Sequence, residues 1–354
     1  MNIKNLNVAV IYGGKSAEHE VSVHSAGYVC EILSSKCKIL PVFIDKKGRW
    51  FLQKKCGFSA ASDVQITAVA GGVCPLRTLD GKDIKVDVFF PVLHGTKGED
   101  GTIQGLFEMM EIPYCGCGVL TSAAAMDKIL SKTLAAGHNV PVLPHVHLRA
   151  GEKFEDRLGE IKKLGLPLFV KPVSLGSSVG VTKVKDWAGL GEAVNFAFKF
   201  DVNIMIERGV DRAREIFCGV YGAGTDTQAS PCGELVPSGH EFFDYHAKYI
   251  DPEGCIAKVP AAVNAETEKL MREYSLAVFK ALRGEGLARA DFLLGADGKF
   301  YFSEINTLPG LSNTSLFPQL WRAAGKDYGA LLEEIIFLAL KRAQSVKKLQ
   351  TDKE

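Results

Sequence analysis

The sequence predicts an α/β protein of more than one domain, on three observations. Strand-like and helix-like segments alternate through the first third of the chain, which is the pattern of a parallel α/β layer. Later strands pair instead as hairpins around glycine-rich turns. The chain has 354 residues, 47% of them hydrophobic and 23% charged. At about 100–200 residues per domain this is material for two or three domains, and it excludes a disordered chain or a single small binding module.

Taken in order, residues 8–12 read as an apolar strand, 20–34 as a helix and 39–44 as a second strand. Asp45-Lys46-Lys47-Gly48 is a turn signal, and residues 60–72 have weak periodicity and read as a surface excursion. A strand follows at 86–93 and a helix near 103–110. Good helix formers from Thr121 to Ala136 predict one helix that Gly137 ends. Residues 166–173 and 179–184 read as two strands joined by a glycine- and serine-rich loop. Strands at 202–207 and 216–221 precede a long stretch, 238–260, rich in aromatic, charged and glycine residues; a loop of that length is usually functional or disordered. A helix at 265–282, a hairpin from Ala288 to Asn306 and an amphipathic closing helix around 331–340 complete the pattern, with a polar tail at 345–354.

Lys and Arg number 42 against 41 Asp and Glu. No whole-molecule field steers this protein toward nucleic acid or an anionic membrane, so an anionic ligand must meet locally gathered positive charge. The nine cysteines contain no C-x-x-C pair and read as reduced thiols. With no signal-peptide pattern and no apolar run of about 20 residues, the expectation is a cytoplasmic protein that does not span a membrane.

Two motifs fail on inspection. Gly13-Gly14-Lys15-Ser16 resembles the end of a Walker phosphate loop, but the first glycine of that motif would fall on Ala9. His19 and His24 suggest a zinc helix, yet a spacing of five makes them diverge around the helix.

Three constellations carry chemistry. In the hairpin, Arg289-Ala290-Asp291 faces Glu304-Ile305-Asn306; pairing Leu294 with Lys299 puts Arg289, Asp291, Glu304 and Asn306 on one face. Two carboxylates and an amide oxygen are hard ligands suited to Mg²⁺ shared with nucleotide phosphates, and Arg289 is an always-cationic donor for an oxyanion. In Lys171-Pro172-Val173-Ser174-Leu175-Gly176-Ser177-Ser178-Val179-Gly180, small residues let backbone N–H groups approach an anion. His94-Gly95-Thr96-Lys97-Gly98-Glu99-Asp100-Gly101 lies where an apolar strand ends, the place where ligands of parallel sheets gather.

Together these blocks resemble the D-alanine–D-alanine ligases of the ATP-grasp superfamily. The match also includes Gly13-Gly14-x-Ser16-Ala17-Glu18-x-Glu20-Val21-Ser22, Met126-Asp127-Lys128, Asp244-Tyr245-x-Ala247-Lys248-Tyr249 and Thr307-x-Pro309-Gly310, and it spans essentially the whole chain. The resemblance implies a three-domain α/β enzyme with an N-terminal Rossmann-like domain (1–118), a central ATP-grasp subdomain (119–207) and a C-terminal part (208–354). It implies ATP-dependent joining of two D-alanines through a D-alanyl phosphate, for peptidoglycan precursor synthesis, in a cytoplasmic homodimer.

The resemblance also distributes roles. Glu18 anchors the first substrate's ammonium group, with His94 near its carboxylate. Lys128, Lys171, Ser178 and Lys248 attend the nucleotide phosphates, Glu207 the adenine side and Glu215 the ribose. Asp291, Glu304 and Asn306 hold two Mg²⁺ ions, which Mn²⁺ replaces. Arg289 and the Gly310 N–H stabilise the tetrahedral oxyanion, Ser315 and Leu316 grip the second carboxylate, and Ser177, Glu18 and Tyr249 tie two loops together. Tyrosine at 249, where ester-forming relatives carry phenylalanine, favours the dipeptide. Other readings are a different ATP-grasp carboxylate–amine ligase, a D-alanine–D-lactate or D-serine ligase, and a noncatalytic nucleotide-binding regulator.

Overall fold

The computed structural model describes residues 3–59, 62–71, 74–237 and 255–349. The first sheet contains β1 (Asn7–Gly13), followed by α1 (His19–Ser34) and then by β2 (Lys38–Ile44), β3 (Trp50–Leu52), β4 (Val64–Ala68), β5 (Leu76–Thr78), β6 (Asp83–Ile84) and β7 (Val88–Val92). Its order is β6-β5-β4-β3-β2-β1-β7. β1 lies between β2 and β7 and is parallel to both, as alternating strands and helices predict. The excursion expected at 60–72 instead contributes β4 to an antiparallel extension of this sheet. Ile66 is the one buried side chain of that strand, so there was little periodicity to read. The turn signal at Asp45 holds: its N–H donates to the Arg49 carbonyl and Gly48 takes φ 84°.

Next come α2 (Thr102–Met109), α3 (Val119–Met126) and α4 (Lys128–Gly137). The single helix expected from 121 to 136 is therefore broken. Asp127 leaves the helical conformation (φ −77°, ψ 106°), and its side chain caps α4 by accepting from the N–H groups of Ile129 and Leu130. Capping satisfies donors that an uninterrupted helix would have bonded internally. As a result, Lys128 stands at the first position of a new helix.

The second sheet is antiparallel throughout. It contains β8 (His145–Arg149), β9 (Leu168–Pro172), β10 (Thr182–Val184) and β11 (Asn203–Arg208) in the order β10-β9-β11-β8, with α5 (Leu158–Leu164) and α6 (Leu190–Ala197) closing one face over Leu148, Val170 and Ile204. The third comprises β12 (Arg214–Gly222), β13 (Gln228–Pro237), β14 (Cys255–Lys258), β15 (Gly286–Leu294) and β16 (Phe300–Asn306), ordered β14-β13-β12-β15-β16, with α7 (Ala265–Ala281) packed on it. Residues 255–258, expected within the long loop, pair with β13.

After α8 (Leu316–Ala323), the closing helix α9 (Tyr328–Val346) returns to the start of the chain. Its Leu331, Leu332, Ile335 and Ile336 share one core with Val8, Val10 and Tyr12 of β1. Burying such side chains is worth about 1.5–3 kcal/mol each, which is ample to fix the third sheet against the first. Cys30, Cys37, Cys56, Cys74, Cys115, Cys117, Cys218 and Cys232 are free thiols, and among the described residues no helix is long and apolar enough to cross a membrane.

Candidate active site

The β15–β16 hairpin gathers the predicted face by a different register from the one expected. Leu294 pairs with Phe300, not Lys299, because the connection is one residue longer. That slip alone would have sent Glu304 and Asn306 to the opposite face. A bulge at Ser303 adds the compensating residue, so Asp291 sits directly opposite Glu304 and Arg289 opposite Asn306. The burial pattern carries the same mark: Phe302 and Ile305 are inward three residues apart instead of two.

Two carboxylates placed directly opposite each other repel. Here each meets its own cation. Arg289 makes a two-pronged contact with Asp291 (2.7 and 2.6 Å), and Lys128 Nζ lies 3.1 Å from Glu304 Oε2. The Arg289 guanidinium also lies 5.1 Å from the centre of the Phe217 ring. Asn306 Oδ1 accepts from the Leu308 N–H at 2.9 Å and keeps a second lone pair. Two opposed carboxylates beside an amide oxygen are hard oxygen donors of the kind that could hold a divalent cation.

The first sheet reaches the same place through its loops. His94, at the end of β7, is buried; Nδ1 donates to the Leu308 carbonyl at 3.0 Å, and Nε2 lies 3.3 Å from Ser25 Oγ. Glu99 Oε1 is 3.8 Å from His94 Nδ1 and 3.5 Å from Asn306 Nδ2, which links the two sheets. Burial alone would lower the His94 pKa, but the carboxylates of Glu99 and Glu18 outweigh it and raise it. Glu99 itself is pushed up, by burial first and then by Glu18. A β-carbon on Gly95, at φ 74°, would stand 2.8 Å from Glu18 Oε2; only glycine lets that loop run beside the carboxylate. His19 and His24 do diverge: one packs on Phe43 and the other on Phe58.

The glycine- and serine-rich loop joins β9 to β10, and Ser177 and Ser178 both hold left-handed conformations (φ 55° and 57°). A tight turn of this kind can present successive backbone N–H groups to an anion. Lys128 ties this loop to the hairpin by donating to the Leu175 carbonyl at 2.6 Å. On β9, Lys171 donates to Glu207 Oε2 of β11 at 2.5 Å, and Lys132 Nζ lies 2.7 Å from Glu207 Oε1. Burial would raise the Glu207 carboxyl, but the two ammonium groups hold it down at about 2. Glu215 lies on β12 two positions before Phe217, which is opposite Asp291, so it shares that face.

Beyond the hairpin, a β-carbon on Gly310 would meet Ser315 Oγ at 2.7 Å. Ser315 precedes α8 and accepts from the Ser312 N–H instead of capping the helix. The first-turn N–H groups, including that of Leu316, are then donors for something else. Lys248 and Tyr249 lie outside the described residues. The structure thus brings together Lys128, Arg289, Asp291, Glu304, Asn306 and His94. Sequence reasoning missed Glu99 and Lys132, although Glu99 was inside a quoted motif and Lys132 follows Lys128 by one helical turn.

Residues 7–117 match the family model described as D-ala D-ala ligase N-terminus, and residues 134–337 match D-ala D-ala ligase C-terminus. The chain is 42% identical over 349 residues to the D-alanine–D-alanine ligase of Thermoanaerobacter sp. (strain X514), covering 94% of this chain and 96% of that one. The D-alanine–D-alanine ligase structure from Coxiella burnetii superposes with a TM-score of 0.88 at 33% identity, covering 98% and 97% of the two chains. The VanG D-Ala:D-Ser ligase of Enterococcus faecalis superposes at 0.82 with 32% identity, over 95% of this chain and all of that one. Identity of this size along both halves, on the fold its motifs predicted, means that the chain belongs to the D-alanine–D-alanine ligase family.

Proposed function

We propose that this protein ligates two D-alanine molecules at the expense of ATP, supplying a peptidoglycan precursor, and that the cleft around the β15–β16 face is where it does so. A carboxylate is a poor electrophile. Attack of one D-alanine carboxylate oxygen on the γ-phosphorus of ATP releases ADP and leaves an acyl phosphate. The deprotonated amine of the second D-alanine then adds to the acyl carbon, and collapse of the tetrahedral oxyanion expels phosphate and leaves the dipeptide.

Each step has a residue suited to it. Glu18 takes the first substrate's ammonium group, and His94 faces its carboxylate. Lys128, Lys171, Ser178 and Lys248 meet the phosphates, Glu207 the adenine side and Glu215 the ribose. Arg289 and the Gly310 N–H steady the oxyanion, a charge that grows only at the transition state. Ser315 and the Leu316 N–H take the second carboxylate. Ser177, Glu18 and Tyr249 link loops that keep water from the acyl phosphate. Asp291, Glu304 and Asn306 would hold two Mg²⁺ ions, or Mn²⁺ in their place; bound there, the metal neutralises phosphate charge during transfer. We read the chain as domains 1–118, 119–207 and 208–354, assembled as a cytoplasmic homodimer.

The observation that carries this reading is the opposed Asp291–Glu304 pair, held between Arg289 and Lys128 and joined through Asn306 and Glu99 to His94. The test is phosphate release from MgATP with D-alanine, L-alanine, D-lactate or D-serine, with the product identified by mass. D-Alanine-dependent release and D-alanyl-D-alanine are expected. No D-alanine-dependent release by folded protein would overturn the reading, and preferential mixed products with D-serine or D-lactate would move it to those ligases.

A further inference from the structure

Among the described residues Lys132 is the most completely buried lysine, with none of its side chain exposed. Its ammonium group lies 2.7 Å from Glu207 Oε1 and donates to the Phe302 carbonyl at 3.0 Å. One side chain of α4 thereby joins β11 of the second sheet to β16 of the third. A dry ammonium group is costly, and an apolar residue of similar size would fill the slot at less expense. What the charge supplies and a methyl group does not is an ionised, fixed Glu207. Burial opposes that ionisation, and Lys171 alone would leave the carboxylate held from one end only. Oε1 lies within hydrogen-bond distance of Lys132, and a carboxylate oxygen carries a further lone pair beyond the one that such a contact uses. It is a buried acceptor with a lone pair to offer.

We propose that Lys132 is a positioning residue that selects the nucleotide base through Glu207. It holds the carboxylate as an acceptor for the exocyclic amino group of adenine and, through the Phe302 carbonyl, fixes the distance between the two sheets that flank the base. Inosine nucleotides carry a carbonyl oxygen where adenine carries that amino group, so an ionised acceptor repels them. The inference rests on the reading of Glu207 as the adenine-side residue.

Two comparisons separate the inference from that reading. In the parent protein, kcat/KM is measured with ATP and with ITP, and nucleotide binding is followed by calorimetry. A strong preference for ATP is expected; equal use of both removes Glu207 as a base reader and the role of Lys132 with it. In Lys132→Met, the ATP-over-ITP preference falls at least about tenfold, because an acceptor no longer fixed discriminates poorly. KM for ATP rises, while kcat at saturating ATP stays within about threefold, since the interaction is made before the transition state. Full selectivity retained by folded Lys132→Met overturns the proposal. Adding Lys132→Met to Glu207→Gln changes selectivity less than about twofold, the coupling expected of residues acting as one unit. An undiminished further loss would mean that Lys132 does not act through Glu207. If Lys132→Met alone does not fold, the double variant, which removes both members of the Lys132–Glu207 pair, is compared with folded Glu207→Gln in its place; failure of the double variant to fold where Glu207→Gln folds would make Lys132 a purely structural tie to Phe302 and end the proposal.

Discussion

On the β15–β16 hairpin, Glu304 keeps 29% of its side chain exposed beside Lys128, whereas Glu207 keeps 2% between Lys132 and Lys171. Both are acids paired with lysines of α4, but their surroundings set different prospects. Water around Glu304 compensates either partner when the pair opens, so exchanging a lysine for another cation costs little. Around Glu207 nothing replaces a lost partner except another buried charge. The first arrangement suits groups that must change partners during turnover, and the second suits a group that must stay in place.

The largest break in this comparison is Glu207→Gln. It leaves Lys132 and Lys171 without their counter-charge, and we expect a stability loss of about 3–5 kcal/mol, against less than about 1 kcal/mol for Glu304→Gln. Urea unfolding at neutral pH measures both, and equal losses would show that exposure does not separate the two sites. The pH dependence gives the sign. Glu207 titrates at about 2 in the fold, against an ordinary 4.5, so its contribution is present above 4.5 and is lost as pH falls toward 2. Glu207→Gln should therefore flatten the acid limb of the stability curve in that window.

Arg289→Ala comes next. Loss of a donor aimed at a developing oxyanion costs turnover about 10²–10³-fold, with a much smaller change in ATP binding. A large loss of ATP affinity at unchanged kcat would instead make Arg289 a nucleotide ligand, and the hairpin would then resemble the dry cluster in holding its charges for binding.

The same contrast explains what was legible in the sequence. The polar face of the hairpin could be read because strand parity needs only alternation, and two single-residue errors, the longer turn and the bulge at Ser303, cancelled. Neither error left a trace in residue type, because a serine in mid-strand looks ordinary. The break at Asp127 was written in the sequence as an acid just before a helix start, but the surrounding alanines and leucines masked it. Lys132 was hidden by a stronger prejudice. On α4 the leucine at 130 is 45% exposed while Lys132 has no exposed surface, the reverse of what an amphipathic reading assigns. A helix that faces a cleft of charges turns its lysines inward, and only knowledge of the cleft tells one so.

The smallest expected effect concerns the acid that joins the two regions. Glu99 is as buried as the dry cluster demands, yet it contacts Asn306 of the exposed hairpin and His94 of the first sheet. Burial disfavours a charged His94; Glu99, with Glu18 behind it, reverses that and raises the imidazole above its ordinary 6.5. A raised histidine stabilises the fold fully below 6.5 and loses that contribution as pH climbs through the higher folded value. In Glu99→Gln the His94 ring should titrate at lower pH than in the parent, followed by its ring-proton resonances, and the alkaline decline in stability should shrink. If His94 titrates unchanged, Glu18 alone holds its charge, and Glu99 belongs with Glu207 among the carboxylates that fix geometry without tuning a neighbour.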